Sequence, residues 1–229
     1  MHSAGNDSVR SLAILCIVPL VLISMRVPAA PSSYVAWTTE TVALVNAGDA
    51  SRGEQLAYGC AACHGNAGMS KSPDFPHLAG QDPRYLFKQL MDYKDKTRTN
   101  PLMNGIVASM TDQDMADIAA YYTAQSVPSS ESSGAEAVPA IDLVTQGSGS
   151  RMVPACQGCH GDQGAGRPGY YGMPVLAGQM SLYLQSTLKQ FREGDRSNDI
   201  YSVMRVIASS LTDEEIIALG DYYATQELR

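Results

Sequence analysis

No block of basic residues runs through this chain. Its 16 Lys+Arg are outnumbered by 23 Asp+Glu, for a formal net charge of −7. A phosphate backbone calls for a basic face, so nucleic acid is excluded as a partner. Charged residues make up only 17% against 45% hydrophobic, which excludes a disordered polar chain. Five cysteines are too few for a disulfide-stapled mini-protein, and histidine is limited to four residues in 229. Period-two strand patterning is absent.

The apolar run Leu12 to Ile23 is 12 residues long, preceded by Arg10 and closed by Arg26. A membrane span needs about 20. A basic start, a short apolar stretch and small residues beyond it (Val27-Pro28-Ala29-Ala30) predict a secretory signal peptide over 1–30. The alternative is that the segment is retained and associates the protein with a membrane. Under both readings the rest of the chain is exported.

Self-comparison shows two halves on one plan. Cys60-Ala-Ala-Cys63-His64 recurs as Cys156-Gln-Gly-Cys159-His160, and PHLAGQ at 76–81 recurs as PVLAGQ at 174–179. Tyr85-Leu86 becomes Tyr183-Leu184, Met103 through Thr111-Asp112 becomes Met204 through Thr212-Asp213, and Tyr121-Tyr122 becomes Tyr222-Tyr223. The expected organisation is a first module over 40–125, a Ser/Pro/Glu-rich linker over 126–141 and a second module over 142–229.

Each module reads as helical. Ser51-Arg-Gly-Glu54 has the form of a capping box, as do Thr111-x-x-Asp114 and Thr212-x-x-Glu215. Arg84–Lys94 and Leu182–Phe191 carry apolar stripes at helical spacing. The Gly-rich stretch 147–150 and Pro154 predict a shorter or broken first helix in the second module. The tyrosine pairs are expected to pack between first and last helices.

Cys-x-x-Cys-His is the attachment sequence of c-type haem. Two thiols three positions apart can bond the two vinyl-derived carbons of one porphyrin, and the adjacent histidine then lies under the iron. A zinc ribbon would place its Cys pairs about 15–20 residues apart, whereas Cys63 and Cys156 are 93 apart. A thioredoxin-like pair would want a βαβ setting and no histidine. The motifs therefore predict two covalent haems, anchored by Cys60 and Cys63 and by Cys156 and Cys159. A porphyrin would also supply core to modules with little apolar area of their own.

The other axial ligands come from outside the motifs. His2 lies in the export segment, and His77 has Val175 at its counterpart position, so two bis-histidine haems are excluded. His77 reads as a loop residue. Methionine is the remaining soft, neutral ligand. Of eleven methionines only Met103 and Met204 recur in register, each eight residues before a helix-opening threonine. A ligating histidine donates its other N–H to an acceptor, and the Pro76 and Pro174 carbonyls are the candidates.

CAACHG and CQGCHG, PHLAGQ and PVLAGQ, FREGDRSND at 191–199 and the Met-to-LTDEEI segment resemble the cytochrome c4 family of dihaem class I c-type cytochromes. The resemblance implies an all-α protein of two tandem cytochrome c domains related by pseudo-twofold symmetry. It implies His64 with Met103 and His160 with Met204 as iron ligands. It also implies a periplasmic, often membrane-associated electron carrier rather than an enzyme, running from a quinol-oxidising complex to a terminal haem–copper oxidase. The rival readings are a fixed dihaem subunit of a respiratory or dehydrogenase complex, and a peroxidase with an open iron position.

The linker composition predicts that limited proteolysis cuts first within 126–139 and leaves two haem-bearing fragments; preferential cutting inside either module would contradict these boundaries.

Overall fold

A computed structural model describes residues 32–127, 138–167 and 172–227. The signal or anchor assignment (1–30) and most of the predicted linker (128–137) lie outside the described residues. No helix among the described residues is long and apolar enough to cross a membrane.

The first module contains α1 (Thr39–Asn46), α2 (Ala50–Leu56), α3 (Ala61–His64), α4 (Pro83–Lys94), α5 (Pro101–Val107) and α6 (Asp112–Thr123). The second contains α7 (Val138–Thr145), α8 (Gln157–His160), α9 (Ser181–Glu193), α10 (Val203–Ser209) and α11 (Asp213–Ala224). Short 3-10 turns fill several joints. The described residues hold no β-strand, only one isolated bridge between Ser148 and Val153. Helix α7 starts inside the stretch read as linker, so residues 138–141 are helical and Ala140 is buried in the second core.

The last helix of each module is the hub. α6 packs on α1, α2 and α4, and α11 packs on α7 and α9. Both hubs start on the expected capping boxes. Thr111 accepts from the Asp114 N–H, Thr212 accepts from the Glu215 N–H, and each acid bonds back to the threonine N–H. This satisfies two otherwise orphaned donors at each helix start.

The expected capping box at Ser51 is not what starts α2. Asp49 is the N-cap and accepts from the Ser51 and Arg52 N–H groups, because the helix begins two residues earlier than a Ser51 cap would place it, at Ala50. α2 reaches α6 closely through Gly53, where any Cβ would sit 2.0 Å from the Asp117 carbonyl oxygen. In the second module α2 has no helical counterpart. A single 3-10 turn, Gly149–Arg151, takes its place, as the glycine content of that stretch predicted. The ionic link survives the change: Arg52 pairs with Asp114 and Asp117, and Arg151 pairs with Glu215.

Two separate apolar cores result, one around Phe87, Met115, Ile118 and Tyr122, the other around Leu143, Val144, Ile216 and Tyr223. Between them lies a polar seam. Asp92, fully buried, accepts from Ser33, Thr97, Lys88 and the side-chain amide of Asn198. Lys88, itself only 2% exposed, also donates to the Asn198 carbonyl at 2.7 Å. The seam repeats itself across the pseudo-twofold relation. Arg98 donates to the Tyr183 hydroxyl and stacks on Tyr93, while Arg196 donates to the Tyr85 hydroxyl and stacks on Phe191.

Removing one member of a buried pair leaves the other charge uncompensated. Asp92→Ala is expected to destabilise the haem-loaded protein by about 3–5 kcal/mol, read by urea unfolding. An effect below about 1 kcal/mol, the value of an exposed pair, would show that water reaches Lys88.

Candidate haem sites

The two attachment motifs adopt matching backbones. Cys60 closes a 3-10 turn and Cys63-His64 ends α3; Cys156 precedes α8, which ends at Cys159-His160. Immediately after each histidine the chain turns through a glycine with positive φ, Gly65 at 76° and Gly161 at 80°. A Cβ there would lie 1.9 Å from the Met69 carbonyl oxygen and 2.0 Å from that of Gly166, so the turn admits only glycine. It sends the chain back over the histidine toward Pro76 or Pro174.

Those prolines do what the sequence suggested. His64 Nδ1 lies 3.0 Å from the Pro76 carbonyl oxygen, and His160 Nδ1 lies 2.9 Å from that of Pro174. The bond places the proton on Nδ1 and leaves Nε2 as a lone-pair donor. Burial lowers both imidazole pKa values, against a smaller opposing effect of the proline carbonyls, so both rings are neutral near pH 7. All four motif cysteines are free of disulfides. Burial pushes the Cys60 and Cys156 thiols up, each beside a tyrosine hydroxyl, of Tyr122 and Tyr223 respectively. The second tyrosine of each pair thus packs at an attachment cysteine as well as in the core.

One cavity of about 1060 Å³ runs through both modules. That exceeds the usual 300–1,000 Å³ of a single-ligand site. Both cysteine pairs, His64, His160, Met103 and Met204 line it. Met110 and Met173 line it as well, so position on the wall does not by itself select a ligand, and the expectation of Met103 and Met204 rests on their recurrence in register. The two modules position these methionines differently. Met103 sits in the first turn of α5, whose N-cap Asn100 accepts from the Leu102 and Met103 N–H groups. α10 has no such cap. Tyr201 and Ser202 before it take left-handed φ of 56° and 60°, and Asp199 instead binds the Arg205 N–H and guanidinium.

The residues present fit haem. Lys88, Arg98 and Arg196 line the cavity, alongside the carboxylates Asp74, Asp195 and Asp199. Burial opposes ionisation of Tyr183, yet the flanking Arg98 and Arg196 bring its phenol down to about 8. The three cations offer partners to a porphyrin's propionates, and the rest of the lining is largely Leu, Ile, Val and aromatic. His77 lies in a loop, as expected, and is half-buried at the seam. Its Nδ1 accepts from the Ser70 N–H at 3.0 Å, which occupies it locally. Sequence reasoning missed Gln81 and Gln179, although their recurrence in the LAGQ motif was the available signal. Both reach across the seam to the other module.

Fold and site together define a dihaem c-type cytochrome with two covalently attached haem c groups. A cytochrome c family model matches residues 50–123 and again 148–226. A cytochrome c4 of Pseudomonas aeruginosa is 41% identical over 77% of this chain and 88% of that protein. A thiosulfate dehydrogenase electron acceptor of Stutzerimonas stutzeri is 38% identical over 73% of this chain and 79% of that protein. The crystal structure of reduced recombinant cytochrome c4 from Pseudomonas stutzeri superposes with a TM-score of 0.75 at 38% identity, covering 79% of this chain and all of that one. The chain belongs to the cytochrome c4 family.

Intact mass after acid–acetone extraction is expected to exceed the polypeptide by two haems. A chain carrying Cys60→Ser and Cys63→Ser together should retain one covalent haem; loss of both would mean that the modules do not load independently.

Proposed function

We propose that this protein is a periplasmic carrier that shuttles single electrons from a quinol-oxidising membrane complex to a terminal haem–copper oxidase, with no turnover of its own. The observation that supports it most is the matched set in each module: a histidine locked to a proline carbonyl and an in-register methionine on one cavity wall. Bound haem supplies reversible one-electron iron chemistry. Each histidine would offer Nε2 to the iron while its Nδ1–H is held by the proline carbonyl. Each methionine would offer a soft thioether as a second ligand, where a peroxidase needs an open site. The buried bonds of the seam tie both walls together, an arrangement that suits small ligand rearrangement as charge comes and goes. Leu102, Ile106 and Val203 on α5 and α10 line the same cavity and add apolar wall beside the methionines.

A second reading has the same chemistry with a dehydrogenase as donor, and the electron-acceptor relatives favour it. Whether the segment 1–30 is removed separates a free carrier from a tethered subunit. Reduction rates with a quinol-oxidising complex and with a periplasmic dehydrogenase, compared side by side, distinguish the donors.

Met103→Ala and Met204→Ala should each turn one haem of two high-spin, lower its potential and open it to carbon monoxide. Met110→Ala should leave both unchanged. Loss of the far-red sulfur-to-iron band in the Met110 variant, with retention in the Met103 variant, would overturn the first-module assignment. Rapid carbon monoxide binding by the unmodified ferrous protein would overturn the carrier reading.

A further inference from the structure

The glutamines of the two LAGQ motifs make a reciprocal exchange across the seam. Gln81 Oε1 accepts from the Val175 N–H at 2.7 Å, and its Nε2 donates to the Val175 carbonyl at 2.9 Å. Gln179 Oε1 accepts from the His77 N–H at 2.9 Å, and its Nε2 donates to the His77 carbonyl at 2.9 Å. Each Oε1 also accepts the next N–H in its own chain segment, Asp82 or Met180, at 3.0 Å. Both glutamines are buried, at 6% exposure.

The residues so bracketed follow the two prolines. The Pro174–Val175 peptide accepts the His160 Nδ1–H on its carbonyl and gives its N–H to Gln81. The Pro76–His77 peptide accepts the His64 Nδ1–H and gives its N–H to Gln179. We infer that Gln81 and Gln179 are positioning residues that tune each other's modules: Gln81 sets the donor strength of His160, and Gln179 that of His64.

Two effects act in the same direction. Bonding at the N–H fixes the peptide plane, which aims the carbonyl at the imidazole. It also polarises the peptide, making that carbonyl a stronger acceptor. A stronger acceptor gives the imidazole more anionic character, and this favours the oxidised iron. Only an amide of this length supplies both the acceptor and the donor that bracket one residue's N–H and C=O. The inference rests on His64 and His160 being the iron ligands.

The test is redox titration of the dihaem protein followed by NMR, with each haem identified by the hyperfine-shifted Nδ1–H of its histidine. Gln81→Met should raise the midpoint of the His160 haem, shift the His160 Nδ1–H signal and leave the His64 haem in place. Gln179→Met should do the reverse. Equal movement of both haems, movement within the variant's own module, or no movement would overturn the proposal, the first being what a loosened seam alone produces. Gln81→Glu keeps the length and the acceptor for the Val175 N–H while losing the donor, so it should not raise the midpoint of the His160 haem even if the methionine variant loads haem poorly. A rise as large as that produced by a non-bonding side chain would overturn the proposal. Absence of both axial-histidine signals from the unmodified protein would instead defeat the ligand reading itself, and the proposal with it.

Discussion

Everything in this molecule is arranged around a space that its side chains do not fill. The helices of each module surround a common cavity, and their own cores are small clusters gathered on α6 and α11. Modules of this size bury little apolar area. A flat apolar group held covalently between the helices replaces the missing side chains, and its attachment residues become structural as much as functional. This explains why the attachment turns are so tightly specified, with glycine demanded right after each histidine.

The modules are joined by chemistry unlike that of their interiors. The seam is polar and charged, with Asp92 and Lys88 taken fully out of water and compensated by one another and by Asn198. A buried ion pair contributes little net stability compared with apolar packing. What it gives here is a fixed relation between two halves that carry related sites. The arginine–tyrosine and glutamine–backbone exchanges repeat in both directions, so the walls facing the two haems are built partly from the opposite module. A gene duplication that only tethered two carriers would not need this. Lys88 and Asp92 break the symmetry, since Ser186 and Gln190 stand at the matching positions of α9. That places the two haems in different electrostatic surroundings.

Much of the site was legible in the residues because its chemistry is local in sequence. Cys-x-x-Cys-His needs only one helical turn, the capping boxes span four residues, and a proline carbonyl near each histidine follows from one short loop. The repeat singled out Met103 and Met204 as candidate ligands without any three-dimensional knowledge. The boundaries were less legible. α2 starts at an aspartate cap and not at Ser51, and α7 begins within a stretch whose composition reads as linker. Asp49 is also held in place by its backbone N–H, which donates to the carboxylate of Asp117 in α6, 68 residues away.

The sequence by itself determined the helical class, the duplication, the two covalent haems and the candidate ligands. Each of these depends on residues within about ten positions of one another, or on a repeat that needs no geometry to detect. Only the tertiary structure decided that Gln81 and Gln179 cross over, that His77 is held in the seam, and that one cavity serves both modules. Those facts involve pairs about a hundred residues apart, whose meeting is set by how two finished cores dock and not by any local pattern.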